Sequence, residues 1–276
     1  MRAALLQICS SDSPADNARM LCPLLQEAAK QGAQVAFLPE VSNCVSLDPA
    51  HQAAVLRSEG EDPVLHSLCL EAQKLGLWIV VGLAFRSDPP ESRFANRCVV
   101  ISTDGEVRAR YDKIHMFDVT LSETETYRES RGFAPGGRAV LAHLPFGDLG
   151  LSICYDLRFA QLYRRLAQAG AQVICVPSAF SPVTGPGHWQ VLLQARAIET
   201  GCWIVAPAQC GTHHADEGRA RMTYGHSLIV SPWGEVIHDA GEGPGCHVVD
   251  LDLKAVSEAR RRLPSLSHDR YFEGPA

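Results

Sequence analysis

The sequence predicts an α/β fold, a four-layer α-β-β-α sandwich in which two mixed sheets lie face to face with helices outside. Two observations lead there. Short β-branched apolar runs alternate with amphipathic stretches bounded by helix start and stop residues. That strand–helix–strand–helix alternation runs twice, each round followed by further strands, and two sheets that must each bury a face pack naturally on one another. Periodicity by itself reaches only an α/β enzyme; the doubling suggests the sandwich. No linker-like stretch divides the 276 residues, so residues 1–276 read as a single domain, with 263–276 as a C-terminal tail.

In the first round, residues 3–9 read as a strand. Ser13-Pro14 opens a helix over about 15–31, stopped by Gly32. Residues 34–38 form the next strand, which ends in Pro39-Glu40. Asp62-Pro63 caps a second helix reaching Leu75 and stopped by Gly76, and 78–84 is an apolar strand. Residues 96–103 and 106–113 form a hairpin around Asp104-Gly105. Residues 114–137 are polar and turn-rich, a long loop of the kind that usually carries function.

The second round repeats the pattern. Strands are expected over 139–144, 149–153 (ending at Cys154) and 172–176, with a helix over 161–168 between the last two. A helix over 188–200, stopped by Gly201, precedes strands over 202–207, 223–230, 236–239 and 245–250. The last helix spans 253–262, and the aperiodic tail beyond it should pack on the surface or on a partner.

Composition narrows the function classes. At 46% hydrophobic residues, the chain can build a core without disulfides or metal. Net charge is −6 with both signs interspersed, so nothing suggests nucleic acid; the one dense basic run, Arg260–Arg261–Arg262, reads as a solvated helix end. The ten cysteines are scattered and form no C-x-x-C pair, as expected of buried free thiols in a reducing compartment. The first residues turn polar too soon for a signal peptide, and no apolar stretch has transmembrane length, so a soluble cytoplasmic protein is expected.

In sheets covered by helices, reactive groups collect past the carboxyl ends of strands. Three such ends stand out: Glu40, Lys113 and Cys154. Each has an ordinary reading, as a solvated loop acid, an edge lysine and a core thiol respectively. Together they form a complete set for acyl transfer: carboxylate base, cation and thiol nucleophile. A Cys154–His188 or Cys154–His226 pair is an alternative. Adjacent His213-His214 lack metal-ligand spacing, and neither a Walker motif nor G-x-S-x-G is present.

Three blocks carry a resemblance: Val35-Ala36-Phe37-Leu38-Pro39-Glu40, then Tyr111-Asp112-Lys113-Ile114-His115, then Gly150-Leu151-Ser152-Ile153-Cys154-Tyr155-Asp156-Leu157-Arg158-Phe159. In this order and at these separations they resemble the nitrilase, or carbon–nitrogen hydrolase, superfamily over nearly the whole chain. The resemblance implies the α-β-β-α sandwich, with Cys154 as nucleophile, Glu40 as general base and Lys113 as oxyanion partner. The family's second glutamate maps onto Glu129, inside the long loop.

A narrower likeness to the deaminated-glutathione amidases, relatives of the Fhit-fused nitrilase domain, rests on Thr184-Gly185-Pro186-Gly187-His188-Trp189, Ala208–His214 and Tyr224-Gly225-His226-Ser227. It implies hydrolysis of deaminated glutathione to 2-oxoglutarate and cysteinylglycine through a thioester, with no cofactor and no metal. The partners implied are a small-molecule amide substrate and further copies of the chain in a homodimer or higher homo-oligomer; composition adds no membrane or nucleic acid. The Tyr155 backbone N–H is expected as second oxyanion donor. Arg158, Thr184 and His188 are candidate substrate-binding residues, although Arg158 is equally placed to pair with an acid and Trp189 to be pocket wall or helix core. The neighbouring readings are an ω-amidase acting on 2-oxoglutaramate, another small-amide or carbamoyl hydrolase, and, in a different class, a non-catalytic binding or thiol redox-sensing protein.

Overall fold

The computed structural model describes residues 1–121, 123, 125–215 and 220–275. The expected loop over 114–137 and tail over 263–276 include residues 122, 124 and 276, which lie outside the described residues.

The first half runs β1 (Arg2–Gln7), α1 (Pro14–Lys30), β2 (Val35–Phe37), α2 (Pro49–Val55), α3 (Pro63–Leu75), β3 (Trp78–Arg86), β4 (Phe94–Ile101) and β5 (Val107–Asp112). Then come three short strands, β6 (Asp118–Thr120), β7 (Thr126–Arg128) and β8 (Phe133–Ala134). The second half runs β9 (Val140–Leu144), β10 (Gly147–Leu151), α4 (Ala160–Gln168), β11 (Val173–Cys175), α5 (Gly185–Thr200) and β12 (Trp203–Ala206). It closes with β13 (Cys210–Thr212), β14 (Met222–Tyr224), β15 (Leu228–Val230), β16 (Val236–Asp239), β17 (Gly245–Asp250) and α6 (Lys254–Arg262).

Two sheets result. One has the order β17-β1-β2-β3-β4-β5, with β8 beside β4; the other has the order β16-β15-β12-β11-β10-β9. In each, three parallel strands form the centre (β1-β2-β3 and β10-β11-β12) and antiparallel strands flank them. Alternation along each strand divides the core. Ala4, Leu6, Ala36, Ile79 and Val81 meet Leu21 and Leu25 of α1 and Leu68 of α3. Their neighbours Ala3, Leu5, Val35, Phe37 and Val80 face the second sheet, where Leu149, Leu151, Val173 and Cys175 belong to the same cluster. The expected sandwich is therefore the observed one.

Helix starts follow the capping chemistry of the sequence. Ser13 accepts from the Asp16 amide and Asp62 from the Leu65 amide, each just before a proline that needs no donor. Several expectations require correction. Helix α2 lay unread because it buries no residue and so leaves no apolar stripe. The loop over 114–137 holds a β6–β7 hairpin and β8. The strand expected over 223–230 is broken by positive φ at Gly225 and His226 into β14 and β15, which belong to different sheets. The basic run forms the last turn of α6 with Arg261 and Arg262 exposed, as expected, but Arg260 turns inward to donate to the Thr200 and Ala171 carbonyls, and Arg262 lies over Trp233 at 4.3 Å. The start of the tail packs on α4, where Arg164 and Gln168 hold the Ser265 and Leu266 carbonyls, while Tyr271 is 92% exposed.

Candidate active site

Four chain segments converge at one end of the sandwich. Glu40 follows β2 and Lys113 follows β5. Cys154 follows β10 after Ser152 and Ile153, so strand β10 ends at Leu151, earlier than the expected residue 153. Ala179 lies beyond β11. Within each sheet the parallel central strands end on one side, and the bond from the Ala179 amide to Glu40 Oε2 at 2.8 Å joins the carboxyl end of one sheet to that of the other.

Glu40, Lys113 and Cys154 are 3%, 2% and 8% exposed. Lys113 Nζ donates to Glu40 Oε1 at 2.9 Å and to Glu129 Oε1 and Oε2 at 2.9 and 2.8 Å. Glu40 Oε1 also accepts from Asn96 Nδ2 at 2.8 Å, and its Oε2 accepts from the Ala179 amide at 2.8 Å. Asn96 Nδ2 reaches Glu129 Oε1 at 3.1 Å as well, leaving buried Asn96 Oδ1 without a partner among the described residues. Glu129 is anchored from its own loop by the Phe117 amide at 2.6 Å. The structure thus brings together all four residues singled out from the sequence.

The backbone is shaped to allow this. A Cβ on Gly82 would lie 2.6 Å from Glu40 Cα, so only glycine lets β3 pass this close behind the carboxylate. Cys154 has φ +46, a left-handed conformation costly for a residue with a Cβ, and its amide donates to Pro177 O at 3.0 Å. Cys154 opens a 3₁₀ turn over Cys154–Arg158. Such a turn offers its first amides no internal acceptor, and the Tyr155 N–H is the next in line after the one used by Cys154.

Asp156 fixes that turn. It is fully buried and accepts from the Ile153 amide at 3.0 Å, the Tyr111 hydroxyl at 2.6 Å and the His115 amide at 3.0 Å, with His115 Nδ1 at 2.6 Å. Tyr111 and His115 flank Lys113, so one carboxylate ties the cysteine turn to the lysine's strand end.

Charge states follow from the surroundings. Burial pushes the Glu40 carboxyl up, but the charge and hydrogen bond of Lys113, the charge of Arg221 and the Asn96 bond outweigh it and hold Glu40 below the ordinary carboxylate range. Burial opposes the Lys113 ammonium, yet Glu129 and Glu40 keep it well above the ordinary lysine value. Burial first, then the charge of Glu40, push the Cys154 thiol far up against the pull of Lys113 and the Ala179 amide. At neutral pH the trio rests as carboxylate, ammonium and thiol, with the charges of Glu40 and Lys113 both acting on Cys154.

The histidine alternatives are committed elsewhere: His226 Nδ1 faces Asp239 at 3.1 Å, and His188 Nδ1 takes the Arg158 guanidinium at 3.1 Å. Arg158 therefore pairs with His188 and lies over the Tyr155 and Phe180 rings, each at 5.8 Å, with no acid as its partner among the described residues. Thr184 precedes α5 without capping it. Trp189 is core, fully buried, with its indole N–H on His226 O at 2.7 Å. His213 is spent on Ser10 O and Thr223 Oγ1, both at 2.7 Å.

Sequence reasoning missed Asn96, Ala179, Arg221 and the bracing role of Asp156. Asn96 had a signal: an amide side chain inside an apolar strand is seldom left without a polar partner. The others depend on residues far apart in the chain coming together.

Comparison with known proteins adds a further line of observation. Residues 2–261 match the family model described as carbon–nitrogen hydrolase. The chain is 39% identical over 272 residues to the deaminated glutathione amidase of Mus musculus, covering 97% of this chain and 82% of that one. It is 33% identical over 271 residues to an omega-amidase of Bos taurus, covering 98% and 95%. Among solved structures, the C. elegans NitFhit protein superposes with a TM-score of 0.87 at 32% identity, covering 98% of this chain and 65% of that chain. A mutant of the amidase from Nesterenkonia sp. AN1, carrying acrylamide on its active-site cysteine, superposes with a TM-score of 0.77 at 27% identity, covering 96% and 98%.

Proposed function

This chain belongs to the carbon–nitrogen hydrolase family, and from that premise we propose that it is an amidase that cleaves deaminated glutathione through a thioester on Cys154. The observation that carries the reading is the buried Lys113–Glu40 ion pair at 2.9 Å beside the buried Cys154, close enough for both charges to act on the thiol.

The resting proton positions set the order of events. Sγ attacks the amide carbon as its proton moves to Glu40; the thiol needs this base because its own ionisation is unfavourable. The amide oxygen gains negative charge beside the Lys113 ammonium and the Tyr155 N–H. Glu40 then returns the proton to the nitrogen, the C–N bond breaks, and a thioester remains. Water adds to the thioester carbon while Glu40 takes its proton; the C–S bond breaks, the acid leaves, and the proton goes back to Sγ. Glu129 touches Lys113 and holds it between two carboxylates, which keeps the ammonium pointed at the reacting carbon. The cycle balances without an electron or group from outside.

Relatives named deaminated glutathione amidase favour that substrate; the omega-amidase relative favours a second reading, 2-oxoglutaramate, by the same chemistry. A redox-sensing thiol is disfavoured, because such sensors need a lowered thiol pKa and Cys154 is pushed up. The proposal extends to one catalytic domain over 1–276, in the cytoplasm, paired as a homodimer. The exposed apolar side chains of Val191, Ile198, Trp233 and Leu263 support self-association.

The test compares kcat/KM for deaminated glutathione and 2-oxoglutaramate, following 2-oxoglutarate release. A clear preference for the peptide supports the first reading and a preference for the simple amide supports the second. Failure to turn over either overturns both.

A further inference from the structure

We propose that Arg221 reads a carboxylate on the substrate and so sets the preference of this site for anionic over neutral amides; this rests on the amidase reading above and deepens it. Arg221 immediately precedes β14 and is half-buried. Its Nη2 donates to Ala179 O at 2.9 Å. The amide of the same residue donates to Glu40 Oε2 at 2.8 Å. The guanidinium is therefore held one residue's width from Glu40, close enough for its charge to act on that carboxylate.

What the guanidinium lacks points to its ligand. It has five N–H donors, and the bond to Ala179 O uses one of them. Among the described residues no carboxylate forms an ion pair with Arg221, although Arg97, Arg110, Arg164 and Arg196 all have one. The acid that feels its charge most, Glu40, is fully engaged with Lys113, Asn96 and the Ala179 amide. A fixed, half-buried guanidinium beside a reaction centre, with donors to spare, suits the forked geometry of a carboxylate.

Arg158 also lacks an acid partner among the described residues, but nothing ties it to Glu40 as the Ala179 bonds tie Arg221. The Arg158 guanidinium stands 5.8 Å from the Tyr155 and Phe180 ring centres, and its Nη2 lies 3.1 Å from His188 Nδ1. Charge selection at the reacting end thus falls to Arg221, a residue that neither strand periodicity nor motif spacing singles out.

The test compares 2-oxoglutaramate with pentanamide, a neutral amide of similar length, in the wild-type enzyme and in Arg221→Gln and Arg221→Lys. Loss of the charge-assisted contact should lower kcat/KM for 2-oxoglutaramate by about tenfold to a hundredfold, chiefly through KM. Any effect through Glu40 touches both amides alike, so the ratio between them isolates the contact. Arg221→Lys should recover part of the ratio. Equal losses on both substrates would show a merely structural role and overturn the proposal. Calorimetric binding of glutarate to the full-length protein supplies a readout free of turnover. Arg221→Gln should weaken it about tenfold or more, and unchanged or absent glutarate binding overturns the assignment of Arg221 even where hydrolysis stands. Should neither these amides nor deaminated glutathione be turned over, the amidase reading fails while the glutarate result still decides the role of Arg221.

Discussion

Replacing Lys113 with Met should reverse the sign of the active site's pH dependence. In the wild type Glu40 sits below its unfolded value, so its contribution to stability is present above the unfolded pKa and lost as pH falls through the folded one. The replacement removes three hydrogen bonds from Lys113 Nζ and leaves Glu40 and the half-buried Glu129 sharing the Asn96 amide, with only the Ala179 and Phe117 backbone amides as further donors. Burial then goes largely unopposed, two like charges share one site, and a carboxyl rises above its unfolded value. A group raised in this way stabilises the fold below its unfolded pKa and loses that contribution as pH rises through the folded value. Breaking a buried ion pair from one side costs about 3–5 kcal/mol, a large share of the ~5–15 kcal/mol by which domains are stable. Each unit of upward shift accounts for about 1.4 kcal/mol of this at neutral pH. Urea unfolding at pH 7 and pH 5 reads it directly. Lys113→Met should be strongly destabilised at pH 7 and recover relative to wild type at pH 5, and a second change, Glu129→Gln, should restore part of the stability at pH 7. Activity should stay down by at least about a hundredfold in both variants, because the oxyanion partner is gone. A destabilisation that does not depend on pH, or a double variant no more stable than the single one, would refute the reasoning.

Three further outcomes follow from the same geometry. Asp156→Asn turns an acceptor surrounded by donors into a group with its own donors; kcat should fall by about tenfold to a hundredfold with KM little changed, and stability by about 2–4 kcal/mol in denaturant unfolding. Gly82→Ala drives a Cβ into the Glu40 backbone, so activity should fall more than about tenfold at a stability cost of about 1–3 kcal/mol, whereas Gly60→Ala, with open space around its Cβ, should leave activity intact. Burial lowers His213 to about 4, so the unfolded chain binds a proton that the fold refuses between there and the ordinary value near 6.5. Stability should therefore drop by about 3 kcal/mol as pH falls across that window, and His213→Gln should flatten that part of the profile.

The legible parts of this molecule were those written locally. Asp62-Pro63 and Gly76 bound α3 at the expected residues, because capping is chemistry between near neighbours. The strand ends carrying Glu40, Lys113 and Cys154 were visible as apolar runs meeting reactive residues, and the order of three motifs linked them. Less legible was whatever depends on distant contact. Helix α2 buries nothing and left no stripe, and hairpin β6–β7 lies in a polar stretch where alternation is weak. Arg158 looked free to meet a substrate or an acid, but the fold sets it over Tyr155 and Phe180. Arg221 carried no local mark; only the bond to Ala179 brings it beside Glu40.

The central claim is that the acyl group passes through Cys154 rather than another of the ten cysteines. The direct measurement is to quench the enzyme with acid during steady turnover of deaminated glutathione and map the acylated peptide by mass spectrometry. The account predicts the substrate's acyl mass on Cys154 alone, absent in Cys154→Ala and absent in Glu40→Gln, which lacks the base the thiol needs. An acyl group on a different cysteine, or turnover that survives Cys154→Ala, would contradict it.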